Sequence, residues 1–293
     1  MAMSISRAQP AARARQRRPR WPGVLLTVLT LALAALWAFP VLWTVSTSFR
    51  HEFQTISTPL QWLPHPWTLA AYQTVFKVSG ILTYTWNSLL TTALITVVTI
   101  ALALPIGYAL SQLRLRSAQL ILWTVLASLM VPAASLYIPL YVLMDKFNMI
   151  NSYGGIILPQ VISAGAVFIF KSFFDQIPKE VREAALVDGA SEFAILGRIY
   201  VPMTSGLILT MALFTFIAAW NNFFWPLIIE NSPRMMTLPI GITQAISLYG
   251  ITYAASAAVA VLSGLPLVIA YVIFQKQITD SFKSALLGVS FKG

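Results

Sequence analysis

Five of the chain's nine acidic residues, Asp175, Glu180, Glu183, Asp188 and Glu192, crowd into one short stretch that also carries Lys171, Lys179, Arg182 and Arg198. Carboxylates at that density suggest catalysis, metal binding or recognition, and the rest of the chain narrows the choice. Cysteine is absent, which excludes a disulfide framework, a thiolate metal site and a cysteine nucleophile. The two histidines, His51 and His65, share one hydrophilic loop with no partner ligands, so they read as surface residues rather than metal ligands. No ionisable side chain falls in the middle of a long apolar segment. That leaves no acid–base pair for an intramembrane hydrolase and none of the buried charge that a proton-driven carrier needs. A sodium site built from backbone carbonyls would escape this test. There is also no G-x-x-x-x-G-K-[ST] phosphate loop, so energy for any active process comes from another protein.

The acidic stretch itself reads as a short helix. Pro178 suits a first turn, where its missing N–H has no partner to lose. Glu180 in that turn complements the helix dipole. Gly189 suits the left-handed conformation that ends a helix, and a new helix can start at Ser191. Val181, Ala184, Ala185 and Asp188 follow i, i+3, i+4, i+7 spacing and share one face. That face is small and mildly apolar, which fits docking into a partner's groove better than burial among lipid tails. A solvated connecting loop is the alternative on these grounds alone.

The surrounding elements are membrane spans. Of 293 residues, 58% are hydrophobic and 10% charged, against about 25% charged in soluble domains. Six apolar stretches, uncharged except where the fourth runs past Lys171, approach the ~20 residues that cross a bilayer core: near Val24–Ser46, Ser88–Leu110, Leu120–Val142, Ile156–Phe174, Pro202–Ile228 and Ala255–Phe274. Pro105, Pro132, Pro159, Pro226 and Pro266 lie inside them and read as local kinks. With the N-terminus inside, only Arg50, Lys77, Lys146 and Arg234 of the 19 basic residues fall outside. Both termini are therefore expected in the cytoplasm. The first span is too long for a signal-peptide core and lacks a cleavage site, so an uncleaved helix is expected. The net charge of +10 gathers at span ends and in the tail, without the basic, aromatic-interleaved face of a nucleic-acid binder. Residues 1–20 form a basic cytoplasmic tail suited to orientation and attraction to anionic lipid. Residues 21–293 form the membrane domain, with a cytoplasmic loop at about 178–202.

Glu183-Ala184-Ala185, Gly189, Ile199, Val201 and Pro202, at their spacing, resemble the EAA loop of ABC importer permeases, with Val201 in place of the usual leucine. Asp188-Gly189-Ala190 resembles the carbohydrate-import class of the maltose-system type. Asn87-Ser88-Leu89, Ile138-Pro139-Leu140-Tyr141, Trp220-Asn221 and Phe291-Lys292-Gly293 extend the resemblance over the chain except the basic tail. It implies an all-α membrane protein: six transmembrane helices with a cytoplasmic coupling helix between the fourth and fifth, the type I ABC importer permease fold. Carried over, Glu183, Ala184, Ala185, Asp188 and Gly189 become the contact with a separate ATPase. The implied assembly has a homologous permease, an ATPase dimer and an external solute-binding protein, in a bacterial or archaeal inner membrane. This chain itself would bind no cofactor and catalyse nothing; ATP is used by the partner.

The expected solute is a sugar or a similar small polar molecule, for which uncharged hydrogen-bonding groups are the expected lining. Ser128, Ser135, Gln160, Ser163, Asn221 and Asn222 are candidates, and Ser135, Gln160, Asn221 and Asn222 are carried forward as the path. Asn221 and Asn222 are amides deep in an apolar run and need partners; helix–helix hydrogen bonding is the competing role. The loop from Glu230 to Tyr253 corresponds in position to the family loop that reaches toward the binding protein. A secondary carrier or channel that functions without an ATPase, and a scaffold without transport activity, are the alternatives.

Overall fold

The longest well-packed helix, residues 81–112, carries a stripe of small and hydroxyl-bearing residues on its buried face. The computed structural model describes residues 21–57, 59, 62–78, 80–249 and 252–286. The basic tail 1–20 and Phe291-Lys292-Gly293 lie outside the described residues. In chain order the helices are α1 (Trp21–Ser48), α2 (Glu52–Thr55), α3 (Ala70–Val78), α4 (Ile81–Gln112), α5 (Ala118–Ser128) and α6 (Ala133–Lys146). Then come α7 (Tyr153–Ile157), extended by a 3₁₀ turn to Gln160, α8 (Ala164–Phe174), α9 (Lys179–Val187) and α10 (Glu192–Ile195). A π turn (Leu196–Tyr200) leads to α11 (Val201–Met203), α12 (Ser205–Trp220), α13 (Phe224–Ile229), α14 (Leu238–Tyr249) and α15 (Tyr253–Leu286). No strand occurs among the described residues.

By its internal contacts the chain divides after Thr44. The first unit contains most of α1, whose side chains from Val24 to Leu42 are all exposed, as suits a helix solvated by lipid. The second unit, from Val45 onward, holds the packed core. Thr91, Thr92, Ile95, Thr96, Thr99, Ala103 and Gly107 lie on the buried face of α4. Small residues let membrane helices approach closely where no hydrophobic force draws them together. At Gly107 the approach is extreme: a Cβ there would stand 2.7 Å from Phe170 Cβ and 2.9 Å from the Lys171 amide nitrogen. No other residue fits that crossing of α4 and α8.

Three helical runs, 24–48, 81–112 and 253–276, are long and apolar enough to cross a membrane alone. Three more become spans only when a bent pair counts as one, for up to six in all. The expected third span is the sharpest departure: α5 and α6 meet at 100° across 129–132. Pro132 caps α6 in extended conformation and keeps Val131 from continuing α5, so this is a corner rather than a kink. The fourth span bends by 42° between Gln160 and Ala164. The fifth does not run unbroken from Pro202 to Ile228: helix starts at Glu192, turns 81° at Thr204, and stops at Trp220, before the separate α13.

The loops between spans are more ordered than their composition suggests. Helix α4 begins at Ile81 rather than Ser88, taking Tyr84 and Trp86 into the helix. The first long loop contains α2 and α3, and α3 joins a cluster in which Ala71 and Val75 pack with Trp220, Leu238 and Ala258. Glu52 accepts hydrogen bonds from the Tyr253 and Ala254 amides, at 2.7 and 3.0 Å, which supplies partners for two free donors at the start of α15. The Glu230–Tyr253 loop contains α14 and is anchored at the N-terminal end of α4. Asn87 donates to the carbonyls of Arg234 and Met236, both at 2.9 Å, and Ser88 accepts from the Leu238 amide at 2.7 Å.

Candidate functional site

The acidic stretch folds as a capped helix lying between two membrane segments. Pro178 stands at the N-cap with ψ 137°, so helix begins at Lys179, one position later than its place in a first turn would put it. Gly189 adopts φ +81°, and the ending is a complete Schellman motif: the Gly189 amide bonds the Leu186 carbonyl and the Ala190 amide bonds the Ala185 carbonyl, both at 3.0 Å. Ser191 caps the next helix by accepting from the Ala194 amide. The Ile199–Pro202 part of the motif then makes the turn into the membrane. Proline cannot donate to the helix ladder, and the preceding turn widens so that the Val201 amide reaches the Leu196 carbonyl five residues back.

The face expected from spacing is divided in two. Ala185, 8% exposed, packs into the cluster formed by Phe170, Phe174, Ile195 and Tyr200, with Val181 beside it. Glu183, Ala184, Asp188 and Gly189 are exposed, as is Val187 at 88% and, on the following helix, Phe193 at 87%. A helix lying on a core buries one stripe, and the apolar i, i+4 pair Val181 and Ala185 takes it. The outward surface is therefore Glu183, Ala184, Val187 and Asp188. Glu183 bonds Arg114 at 3.1 Å, with the two side chains 51% and 84% exposed, a pair worth about 0–1 kcal/mol in water.

Beneath α9 lies a polar network that the sequence did not single out. Arg182 forms an ion pair with Glu192, its terminal amino group to Oε1 and its Nε to Oε2 at 3.2 Å. These bonds hold the guanidinium above its ordinary range. The Tyr108 hydroxyl, from α4, donates to the same Oε2 at 2.7 Å. One turn along α4, Gln112 accepts from the Tyr200 hydroxyl at 3.0 Å and donates to the Phe174 carbonyl at 2.7 Å. The rings of Tyr108 and Tyr200 meet edge to face at 4.9 Å. Partners 84 and 88 residues apart leave no local signal.

The candidate path residues separate. Gln160 and Asn222 come together, the Asn222 amide donating to Gln160 Oε1 at 2.5 Å, on the wall of a 440 Å³ cavity between α4, α8 and α12. Thr99, Ser163 and Thr215 also line it, and the buried Thr99 hydroxyl has no hydrogen-bond partner there. Asn221 is exposed and bonds the Ile217 carbonyl of its own helix. Ser135 is exposed on α6, bonded to the Pro132 carbonyl, and neither it nor Ser128 lines the cavity. Asn222 thus does what the competing role required, bonding between helices, while still facing the cavity.

Comparison with known proteins decides what this arrangement belongs to. Residues 102–283, well over half the chain, match the family described as binding-protein-dependent transport system inner membrane component. This chain belongs to that family. It is 32% identical to the arabinooligosaccharides transport system permease protein AraQ of Halalkalibacterium halodurans, over 86% of this chain and 91% of that one. It is 31% identical to the sulfoquinovosyl glycerol transport system permease protein SmoH of Agrobacterium fabrum, over 83% and 86% respectively. The fold matches a chain of a bacterial ABC transporter involved in import of the acidic polysaccharide alginate, with TM-score 0.80, 22% identity, and coverage of 90% of this chain and 99% of that one. The protein is therefore a multi-pass membrane permease subunit with the type I ABC importer fold.

Proposed function

We propose that the chain forms, with a homologous permease, the path for a sugar or similar small polar solute, delivered by an external binding protein and driven by a separate ATPase dimer. The single observation that supports this best is the acidic helix α9. It follows Pro178, ends in a Schellman motif at Gly189, is braced from beneath by Ala185, and turns a small acidic surface away from the chain's own core. Glu183, Ala184, Asp188 and Gly189 meet the ATPase, while Ala185 serves the contact from below by seating the helix. Glu183 exchanges Arg114 for a basic or amide group on the ATPase, at small cost because the present pair is so exposed.

On this reading α9 and both termini are cytoplasmic in a bacterial or archaeal inner membrane, and the loop carrying α14 faces the binding protein. The Gln160–Asn222 cavity supplies neutral donors and acceptors along the path, which suits hydroxyl-rich solutes better than ionised ones. Asn221 and Ser135 contribute to the path only if the inward- and outward-facing states expose them differently. ATP binds to the partner ATPase and to no site on this chain.

Purifying the tagged chain in mild detergent and identifying every co-purifying subunit tests the assembly. An ATPase and a second six-span protein are expected. Recovery of the chain alone, folded, across several detergents would overturn it and favour a carrier or a scaffold.

A further inference from the structure

Helix α9 is joined to the membrane domain through two backbone connections, and both contain joints. On one side the short turn Asp175–Pro178 leads back to α8. On the other, α10, a π turn and α11 end at Thr204, where the chain bends 81° before α12. A displacement of α9 would be absorbed at such joints unless something else holds the helix. Its outward ion pair, Arg114 with Glu183, is too exposed to do so.

The inward pair is built differently. The Arg182 side chain is 16% exposed, and it engages both oxygens of Glu192. Charge-assisted, two-point contacts of this kind fix orientation as well as distance. The Glu192 carboxylate also receives the Tyr108 hydroxyl, so a single side chain links α9, α10 and α4. Gln112 repeats the arrangement one turn away, joining α4 to the end of α8 through Phe174 and to the π turn through Tyr200. Fully buried Phe170, Phe174, Ile195 and Tyr200 pack alongside, while the Glu192 side chain itself stays 36% exposed. Helix α12, beyond the Thr204 corner, contributes no hydrogen bond to this network and meets it only by apolar packing, through Met211.

We propose that Glu192 is a positioning residue that fastens the coupling helix to α4, so that movement of α9 is delivered to α4 and α8 as one body and not dissipated at the bend before α12. Tyr108 and Arg182 act through Glu192. This rests on the proposed ATPase contact of α9, which supplies the movement.

The absence of cysteine lets distances be read with two introduced labels. Lys179→Cys at the start of α9, outside the surface assigned to the ATPase, and Ile106→Cys on α4 are both at exposed positions. In the assembled transporter, spin labels there report one narrow distance, the same without nucleotide and with Mg·ATP trapped. Glu192→Gln and Tyr108→Phe, the second keeping the ring and its packing, retain that distance without nucleotide and lose it with Mg·ATP. A distance unchanged in both states in both variants would overturn the proposal. So would equal broadening in the two states, the result of a merely structural role. If Glu192→Gln does not assemble, Tyr108→Phe alone decides. A crosslink from Asp188→Cys to the ATPase, made in the same preparation, separates the two ideas. With the crosslink present, an unchanged distance rejects only the role of Glu192; without it, the coupling contact itself fails.

Discussion

Replacing Gly189 by valine isolates the end of α9 from everything around it. Gly189 has φ +81°, and no heavy atom lies within 4 Å of where a Cβ would sit. Crowding by neighbours is therefore not involved, and the whole cost is local backbone conformation. An L-residue in the left-handed region costs about 1–2 kcal/mol, and a β-branched one more. The chain can escape only by turning the residue to negative φ, which breaks the Gly189–Leu186 and Ala190–Ala185 bonds. Each of those bonds is worth roughly 0.5–1.5 kcal/mol net. Either way the capped ending loses ~1–3 kcal/mol, a factor of about 5–150 in its population. Asparagine tolerates the left-handed region, so Gly189→Asn is the matched control. The assay is ATP hydrolysis and solute uptake on the same proteoliposomes. Gly189→Val should assemble normally, hydrolyse ATP, and import several-fold less per ATP. Gly189→Asn should stay close to the parent. Equal behaviour of the two variants, whether both coupled or both uncoupled, would refute the argument from φ.

Glu230 gives a pH dependence of stability. It is 6% exposed, and burial pushes its carboxyl from an ordinary 4.5 up to about 7, although hydrogen bonds from Thr237 pull the other way. The folded state then holds a proton that the unfolded state has released, so stability is greatest below pH 4.5 and is lost as pH rises through about 7. The loss is at most about 3 kcal/mol. Thermal unfolding of the detergent-purified chain between pH 5 and 8 measures it, and Glu230→Gln should flatten the slope; an unchanged slope would rule Glu230 out. At the α4–α8 crossing, Gly107→Ala presses a methyl group against Phe170 and backbone and should cost roughly 1–3 kcal/mol. Gly197→Ala, with open space around it, should not destabilise; equal melting temperatures for the two variants would show that the crossing can relax.

Local signals in the sequence were read correctly, and positional ones were not. The glycine that ends α9 and the serine that caps α10 each act through their own backbone and immediate neighbours, so their residue types sufficed, whereas Pro178 precedes the first turn instead of sitting in it. Hydropathy, in contrast, is blind to direction. A run such as Leu120–Val142 is equally apolar whether straight or bent by 100°, and only Pro132 hinted at the corner. Helical spacing placed Ala184 and Ala185 on one face without saying what lay beneath, and the core took Ala185 alone. Among the polar candidates, composition could not separate Gln160 and Asn222, which meet across helices, from Asn221 and Ser135, which bond their own helices. Tyr108 and Glu192 are ordinary residues until folding brings them together.

The hydrogen bonds from Asn87 also bear on the order in which the chain is made. Its amide serves carbonyls 147 and 149 residues later, so α4 is synthesised long before those acceptors exist. During that interval the amide must find other partners, because a buried unpaired amide is costly. Locking of the α14 loop onto the N-terminal end of α4 is consequently a late step in making the chain, and one interrupted before Arg234 would lack both bonds from Asn87.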